Sequence, residues 1–356
     1  MNSSDSRFKQ QALPTWRRAV LKVGSSLLAA EGEGLTPRHA LGLAQFVSDS
    51  LAAGREVVIV SSGAVAAGRA VIHRQANANA AMAERQALAA LGQARLIGLW
   101  QTLFERPVAQ VLLTHDDLRN RRRYLNARAT LNELLALGAL PVINENDTVS
   151  VDELKLGDND NLAAVIAALV DADVLFIATD IDGFYTANPR THAEAQPIED
   201  VEALTPEFFA MAGNAGSSSG TGGMRTKLEA AAKAAAAGIE TFLFNGTRAD
   251  AVSGLSQGQF SGTRFRPAQN RVAARKYWLR NVPLEAGCIV VDAGASRAMV
   301  EKGASLLPGG VVSAEGDFRR GDMVEIRLQD EQGNHGIARG VSQYSAVDIR
   351  RIARSH

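Results

Sequence analysis

The sequence predicts an α/β protein: a three-layer αβα sandwich around a mostly parallel central sheet, followed by a small, mainly β domain at the C-terminus. Two observations predict it. Through the first two-thirds of the 356 residues, short aliphatic runs alternate with longer alanine-rich segments. Such alternation builds β–α crossovers, and hence a parallel sheet covered by helices on both faces. Near residue 265 the alternation stops, and short strand-like runs separated by glycine turns replace it.

Taken in order, residues 19–23, 56–60, 108–113, 140–143, 174–178 and 239–244 are aliphatic runs and read as buried strands. Residues 37–53, 85–104, 125–137, 161–170 and 224–237 read as helices between them. In such a sheet ligands bind beyond the carboxyl ends of the strands, so the chemistry is expected in the loops that follow them. Residues 264–280 are arginine-rich and poor in apolar runs, and read as a connection. Beyond it, 288–291, 310–312, 323–327 and 336–341 read as short strands. The expected organisation is a disordered extension over 1–16, a first domain over 17–268, a linker over 269–283 and a second domain over 284–356.

Composition narrows the function. The 38 basic residues balance 38 acidic ones, which weighs against bulk attraction to nucleic acid or to an anionic membrane. The single cysteine, Cys288, makes neither an intramolecular disulfide nor a Cys-cluster metal site. Six scattered histidines show no HExxH spacing and there is no GxSxG elbow, so no protein metal site or serine nucleophile is expected. The polar N-terminus lacks the apolar core of a signal peptide. No apolar run reaches the roughly 18–20 residues of a membrane helix. A cytoplasmic protein without a membrane partner is expected.

Three loops are suited to phosphate. Lys22-Val23-Gly24-Ser25-Ser26 ends the first strand run, where backbone N–H groups and a lysine can meet an anion. Ser61-Ser62-Gly63 repeats the device after the second run, although Ser62 reads equally well as a helix cap. Residues 216–227 run from a Gly/Ser tract through Thr221, Gly222, Gly223, Met224, Arg225 and Thr226 to Lys227, directly into an alanine-rich helix. This is neither a Walker A loop nor a GxGxxG fingerprint. A flexible surface linker is the competing reading of the tract.

One polar cluster ends the fourth run and a second precedes the next helix. Asn144-Glu145-Asn146-Asp147 and Gly157-Asp158-Asn159-Asp160-Asn161 are too dense for helix capping alone. Such side chains sit where a polar ligand would bind: Asp and Asn accept from an ammonium, and asparagine amides donate to a carboxylate. Thr179-Asp180 ends the fifth run and opens 180–190. The arginine run at 119–123 reads as a solvated face or an interface.

In their order, the motifs LKVGSSLL, VIVSSGAVAAG, LLTHDDL, NARATL, PVINEND, LGDNDNLAA, TDIDGFYTANPR, GTGGMRTKL and SLLPGGV resemble the glutamate 5-kinases of the amino acid kinase family, whose second domain is of the PUA type. The resemblance implies ATP-dependent phosphorylation of the L-glutamate γ-carboxylate to L-glutamyl 5-phosphate, the first step of proline biosynthesis. It implies ATP as donor with Mg²⁺, proline as feedback inhibitor, and a homo-oligomer that could meet the next pathway enzyme. It assigns Lys22 and Lys227 to the transferring phosphoryl group and Asp160 to orienting both lysines. Ser62, Asn144, Asp147 and Asn159 would bind glutamate. Thr179, Asp180 and residues 221–227 (Thr221, Gly222, Gly223, Met224, Arg225, Thr226, Lys227), with Lys22, would bind the nucleotide.

Two alternatives stay open at this point. One is another carboxylate or carbamate kinase of the same family. The other is an RNA-binding role through the second domain, although residues 284–356 carry nine basic and ten acidic residues, without the basic excess usual for RNA.

Overall fold

A computed structural model describes residues 7–30, 34–73, 81–150, 159–189, 191–192, 194–212, 223–267, 287–318, 320, 323–330 and 333–354. The chain divides into two compact units, one drawn from 1–116 and 127–274, the other from 117–126 and 275–356. The expected linker over 269–283 lies outside the described residues.

The first unit is organised by an eight-stranded sheet. Its order is Asp200–Val201, Thr263–Phe265, Glu240–Asn245, Val174–Thr179, Arg18–Val23, Glu56–Ser61, Leu140–Glu145, Val108–Leu113. The last six are parallel neighbours, and Thr263–Phe265 runs antiparallel to Glu240–Asn245. All six residues of Val174–Thr179 and five of six in Arg18–Val23 are buried. Side chains alternate between the two faces of a strand, so uninterrupted burial means that helices cover both. The six strand runs expected from sequence are the six parallel strands.

With so few aromatics, their placement matters. Phe176 on the central strand packs against Phe46 at 5.4 Å, Phe242 at 5.5 Å and Trp16 at 5.8 Å between ring centroids, and Phe242 continues to Phe260 at 5.0 Å. The column joins one covering helix, Ala40–Ala52, to the sheet.

The extension expected to be disordered over 1–16 is ordered over its described part, 7–16. Gln10–Ala12 pairs antiparallel with Gln259–Ser261, and Phe8 and Trp16 are buried. Two buried aromatics outweigh the local polarity that suggested disorder. The connection read over 264–280 likewise begins inside the sheet, because Thr263–Phe265 is a strand paired on one side with Asp200–Val201 and on the other with Glu240–Asn245.

Helices Ala64–Val71 and Met82–Thr102 cross with almost no space between their backbones. A Cβ on Gly92 would lie 1.8 Å from the Ala64 carbonyl oxygen and 2.4 Å from the Gly68 nitrogen. Gly92→Ala must therefore push the two helices apart. We expect a loss of about 3 kcal/mol or more, at the upper end for overpacking, read as a lower urea midpoint at unchanged m-value.

The second unit holds a four-stranded mixed sheet in the order Val311–Gly316, Gly287–Val291, Met323–Asp330, Gly333–Val341. Gly287–Val291 and Met323–Asp330 are parallel and the other neighbours antiparallel. Ile289, Val291, Val311, Phe318, Val324 and Ile349 form its own core. Two helices unforeseen in the sequence complete it. Ala293–Lys302 is capped by Asp292, which accepts from the Ala295 N–H at 2.8 Å, and Ala346–Ile352 carries a Ser345/Asp348 capping box.

Candidate active site

The parallel register brings the ends of several strands together. Lys22, one residue from the end of its strand, lies level with Val60 on one side and Ile177 on the other. Asp160 stands in the first turn of helix Asn159–Leu169, and Thr226 and Lys227 in the first turn of helix Met224–Ala236.

These three segments meet in a buried charge cluster. Asp160 is 0% exposed, Lys22 5% and Lys227 6%. Lys22 Nζ forms an ion pair with Asp160 Oδ1, and Lys227 Nζ donates to Asp160 Oδ2 at 3.0 Å. Thr226 Oγ1 reaches the same Oδ2 at 3.2 Å and donates to the Gly223 carbonyl at 2.8 Å. Burial alone would raise the Asp160 pKa, but the Lys22 and Lys227 charges and their hydrogen bonds outweigh it and hold the carboxyl well below the usual range. Two ammonium groups around one carboxylate leave a net charge of about +1, buried, at the end of the sheet.

A neutral polar network adjoins it. Asn159 Nδ2 donates to Ser62 Oγ at 2.8 Å, to Asn144 Oδ1 at 2.9 Å and to the Ser61 carbonyl at 3.3 Å. Asn144 Nδ2 donates to Gln93 Oε1 at 2.9 Å. Ser61 Oγ accepts from the indole N–H of Trp100 at 2.8 Å. Because Asn159 and Asp160 are adjacent, one helical turn serves both clusters.

Other expected site residues are placed as follows. Asp147 is half-buried in the turn after strand Leu140–Glu145. Buried Thr179 closes strand Val174–Thr179, and its hydroxyl donates to exposed Asp180 at 3.2 Å. Gly223 precedes helix Met224–Ala236, Met224 is half-buried in its first turn, and exposed Arg225 pairs with Glu229 at 3.2 Å. Thr221 and Gly222 lie outside the described residues.

Sequence reading passed over several supporting residues. Gln93 and Trp100 sit on the long helix Met82–Thr102, where nothing marked them off from an ordinary covering face. Lys233 donates to Asn161 Oδ1 at 2.6 Å, a second tie between the helices that carry Lys227 and Asp160. Asn245 donates to Asp182 Oδ1 at 2.8 Å, bracing the loop after Asp180. Among the described residues no group of three or more His, Cys, Asp or Glu is arranged to hold a metal ion. No helix among them is long and apolar enough to cross a membrane.

Comparison with known proteins shows the family. The PUA domain model matches residues 287–356. A glutamate 5-kinase from Xanthomonas oryzae pv. oryzae is 74% identical over 337 residues, 95% of this chain and 93% of the relative. One from Xanthomonas campestris pv. campestris has the same identity and coverage. One from Xylella fastidiosa is 68% identical over 352 residues, 99% of this chain and 92% of the relative. The amino acid kinase model matches residues 17–245, the stretch that carries the charge cluster and its polar neighbours, and the chain belongs to the amino acid kinase family.

Proposed function

We propose that this chain transfers the γ-phosphoryl group of ATP to the γ-carboxylate of L-glutamate, giving L-glutamyl 5-phosphate and ADP as the first step of proline biosynthesis. The observation that carries the reading is the buried Lys22–Asp160–Lys227 cluster beside the Ser62–Asn144–Asn159 network. The names of the relatives supply the acceptor. They do not favour another carboxylate or carbamate kinase, or an RNA-binding role.

The chemistry needs no catalytic base. A glutamate γ-carboxylate, with an ordinary pKa of about 4.3, is ionised at neutral pH. One of its oxygens bonds to the γ-phosphorus while the bond from that phosphorus to the β–γ bridging oxygen breaks, and ADP leaves with the electron pair. The obstacle is bringing an anion against a polyanion, so the protein acts by positioning and charge neutralisation. Lys22 and Lys227 supply the positive charge, and Asp160 keeps both aimed. Thr179, Asp180 and residues 221–227 hold the nucleotide. Ser62, Asn144, Asn159 and Asp147 hold glutamate, with Asp147 taking its ammonium. Both Asp160 oxygens face lysines, so this carboxylate is not offered to Mg²⁺, which would come with ATP as part of the substrate and supply further charge neutralisation. Feedback by proline and self-association belong to the same reading and rest on the motif resemblance; the cytoplasmic location rests on composition.

The test is ADP release that depends on glutamate, with the acyl phosphate trapped by hydroxylamine, with and without proline. Aspartate, acetylglutamate and carbamate should not replace glutamate; equal turnover of any of them would refute the acceptor. Asp147→Ala should raise the glutamate KM by about 10-fold or more, as for one lost charge-assisted hydrogen bond, at nearly unchanged kcat. Unaltered glutamate saturation would remove Asp147 from the pocket.

A further inference from the structure

We propose that residues 7–12 form a strap over the loop that follows Thr179-Asp180, and that Phe8 is the residue that positions that loop for nucleotide. The proposal rests on the reading above that places nucleotide at Thr179 and Asp180. The strap lies ahead of the family match, which begins at residue 17.

Three kinds of contact tie it down. The first is aromatic. Phe8 is 4% exposed and stands edge-on to Tyr185 with ring centroids 5.1 Å apart, the favoured geometry for two rings. The second is steric. A Cβ on Gly183 would lie 2.6 Å from Phe8 Cζ, so the ring sits directly on the loop backbone and only glycine admits it there. The third is polar and fixes the strap to the body of the unit. The pairing of Gln10–Ala12 with Gln259–Ser261 is extended by Ser261 Oγ, which donates to the Phe8 carbonyl at 3.2 Å. The Lys9 N–H donates to Glu199 at 3.0 Å and Arg7 donates to the Ala195 carbonyl at 3.1 Å. The loop is held from its other side as well, because the Phe184 N–H donates to Thr263 Oγ1 at 2.7 Å and Asn245 holds Asp182.

Phe8 therefore shares a small buried cluster with Tyr185 and Ala195, against which Ala187 packs. Removing the ring leaves Gly183 and Tyr185 without their cover while leaving Lys22, Asp160 and Lys227 in place. The loss should fall on nucleotide binding and spare glutamate binding.

The test uses the full chain with Phe8→Ala, and Phe8→Leu as the conservative replacement. Phe8→Ala should raise the ATP KM by roughly 2- to 10-fold, the worth of one aromatic pair, and leave the glutamate KM within about twofold; Phe8→Leu should recover part of the loss. Backbone hydrogen exchange without substrates should accelerate over 180–187 and remain slow in strands 18–23 and 56–61, which separates loosening of the loop from general instability. Unchanged exchange over 180–187 in Phe8→Ala overturns the strap, as does acceleration spread evenly over the unit. Local acceleration with an unchanged ATP KM overturns its link to nucleotide. If the unsubstituted protein forms no glutamate-dependent ADP, the functional reading fails, and the exchange pattern still decides the strap.

Discussion

Asp160→Asn should lower kcat by on the order of 10²-fold or more, because neither lysine then has a fixed direction toward the charge that develops in transfer. The same substitution should destabilise the protein by about 3 kcal/mol or more, since removing one partner of a buried ion pair strands the other. Here it strands two, Lys22 and Lys227. The pH dependence has a definite sign. A carboxyl whose pKa falls on folding contributes stability at every pH above its ordinary value of about 3.9, and loses it as pH drops toward its folded value. In the unsubstituted protein the Asp160 contribution should thus be constant from neutral pH down to about pH 5 and fade only in strong acid. A variant with kcat within threefold of the original and unchanged stability would show that Asp160 does not hold both lysines.

Lys227→Met should be nearly as damaging to turnover. It keeps the aliphatic stem, deletes the charge and leaves Asp160 paired with Lys22, so folding should suffer less than with Asp160→Asn. We expect kcat and kcat/KM for ATP to fall together by at least ~10²-fold, the pattern for an interaction made in the transition state. Lys22→Met should behave alike. The double variant leaves Asp160 buried without a cation, so its stability loss should exceed the sum of the single losses, as for residues in one network. Additive losses would mean that the lysines do not share the carboxylate, and full turnover by Lys227→Met would remove that residue from the reaction.

Much of this was legible in the chain, for identifiable reasons. Parallel strands buried on both faces write themselves as aliphatic runs, which is why Val174–Thr179 and Glu240–Asn245 were readable. Strands of two or three residues, such as Asp200–Val201 and Thr263–Phe265, are too short to show a period and take their conformation from their neighbours. The order in 7–16 was hidden because its cohesion comes from Phe8 and Trp16 meeting residues far along the chain. In the second unit the Ser345-x-x-Asp348 spacing was a usable helix signal that a reading guided by strand runs passed over.

At the site, the lysines and Asp160 were marked by family motifs, and their residue types implied charge neutralisation. That one carboxylate serves both lysines depends on two helix N-termini meeting beside a strand end, which no local pattern encodes. Gln93 and Trp100 were beyond reach for another reason: a side chain that braces a neighbour from an alanine-rich helix differs in no local way from one that faces water.

Trp100 has a use of its own. It is fully buried, stacked near Phe104 at 6.3 Å, and its one polar atom is bonded to Ser61. Indole emission responds to hydrogen bonding and to nearby dipoles, so the fold has placed a fluorophore one peptide unit from Ser62. The chain's other tryptophans are Trp16 and Trp278. With those two replaced by phenylalanine, the remaining light would come from a single buried ring, and occupancy of the amino-acid side of the site could be followed optically without a label or a coupled reaction.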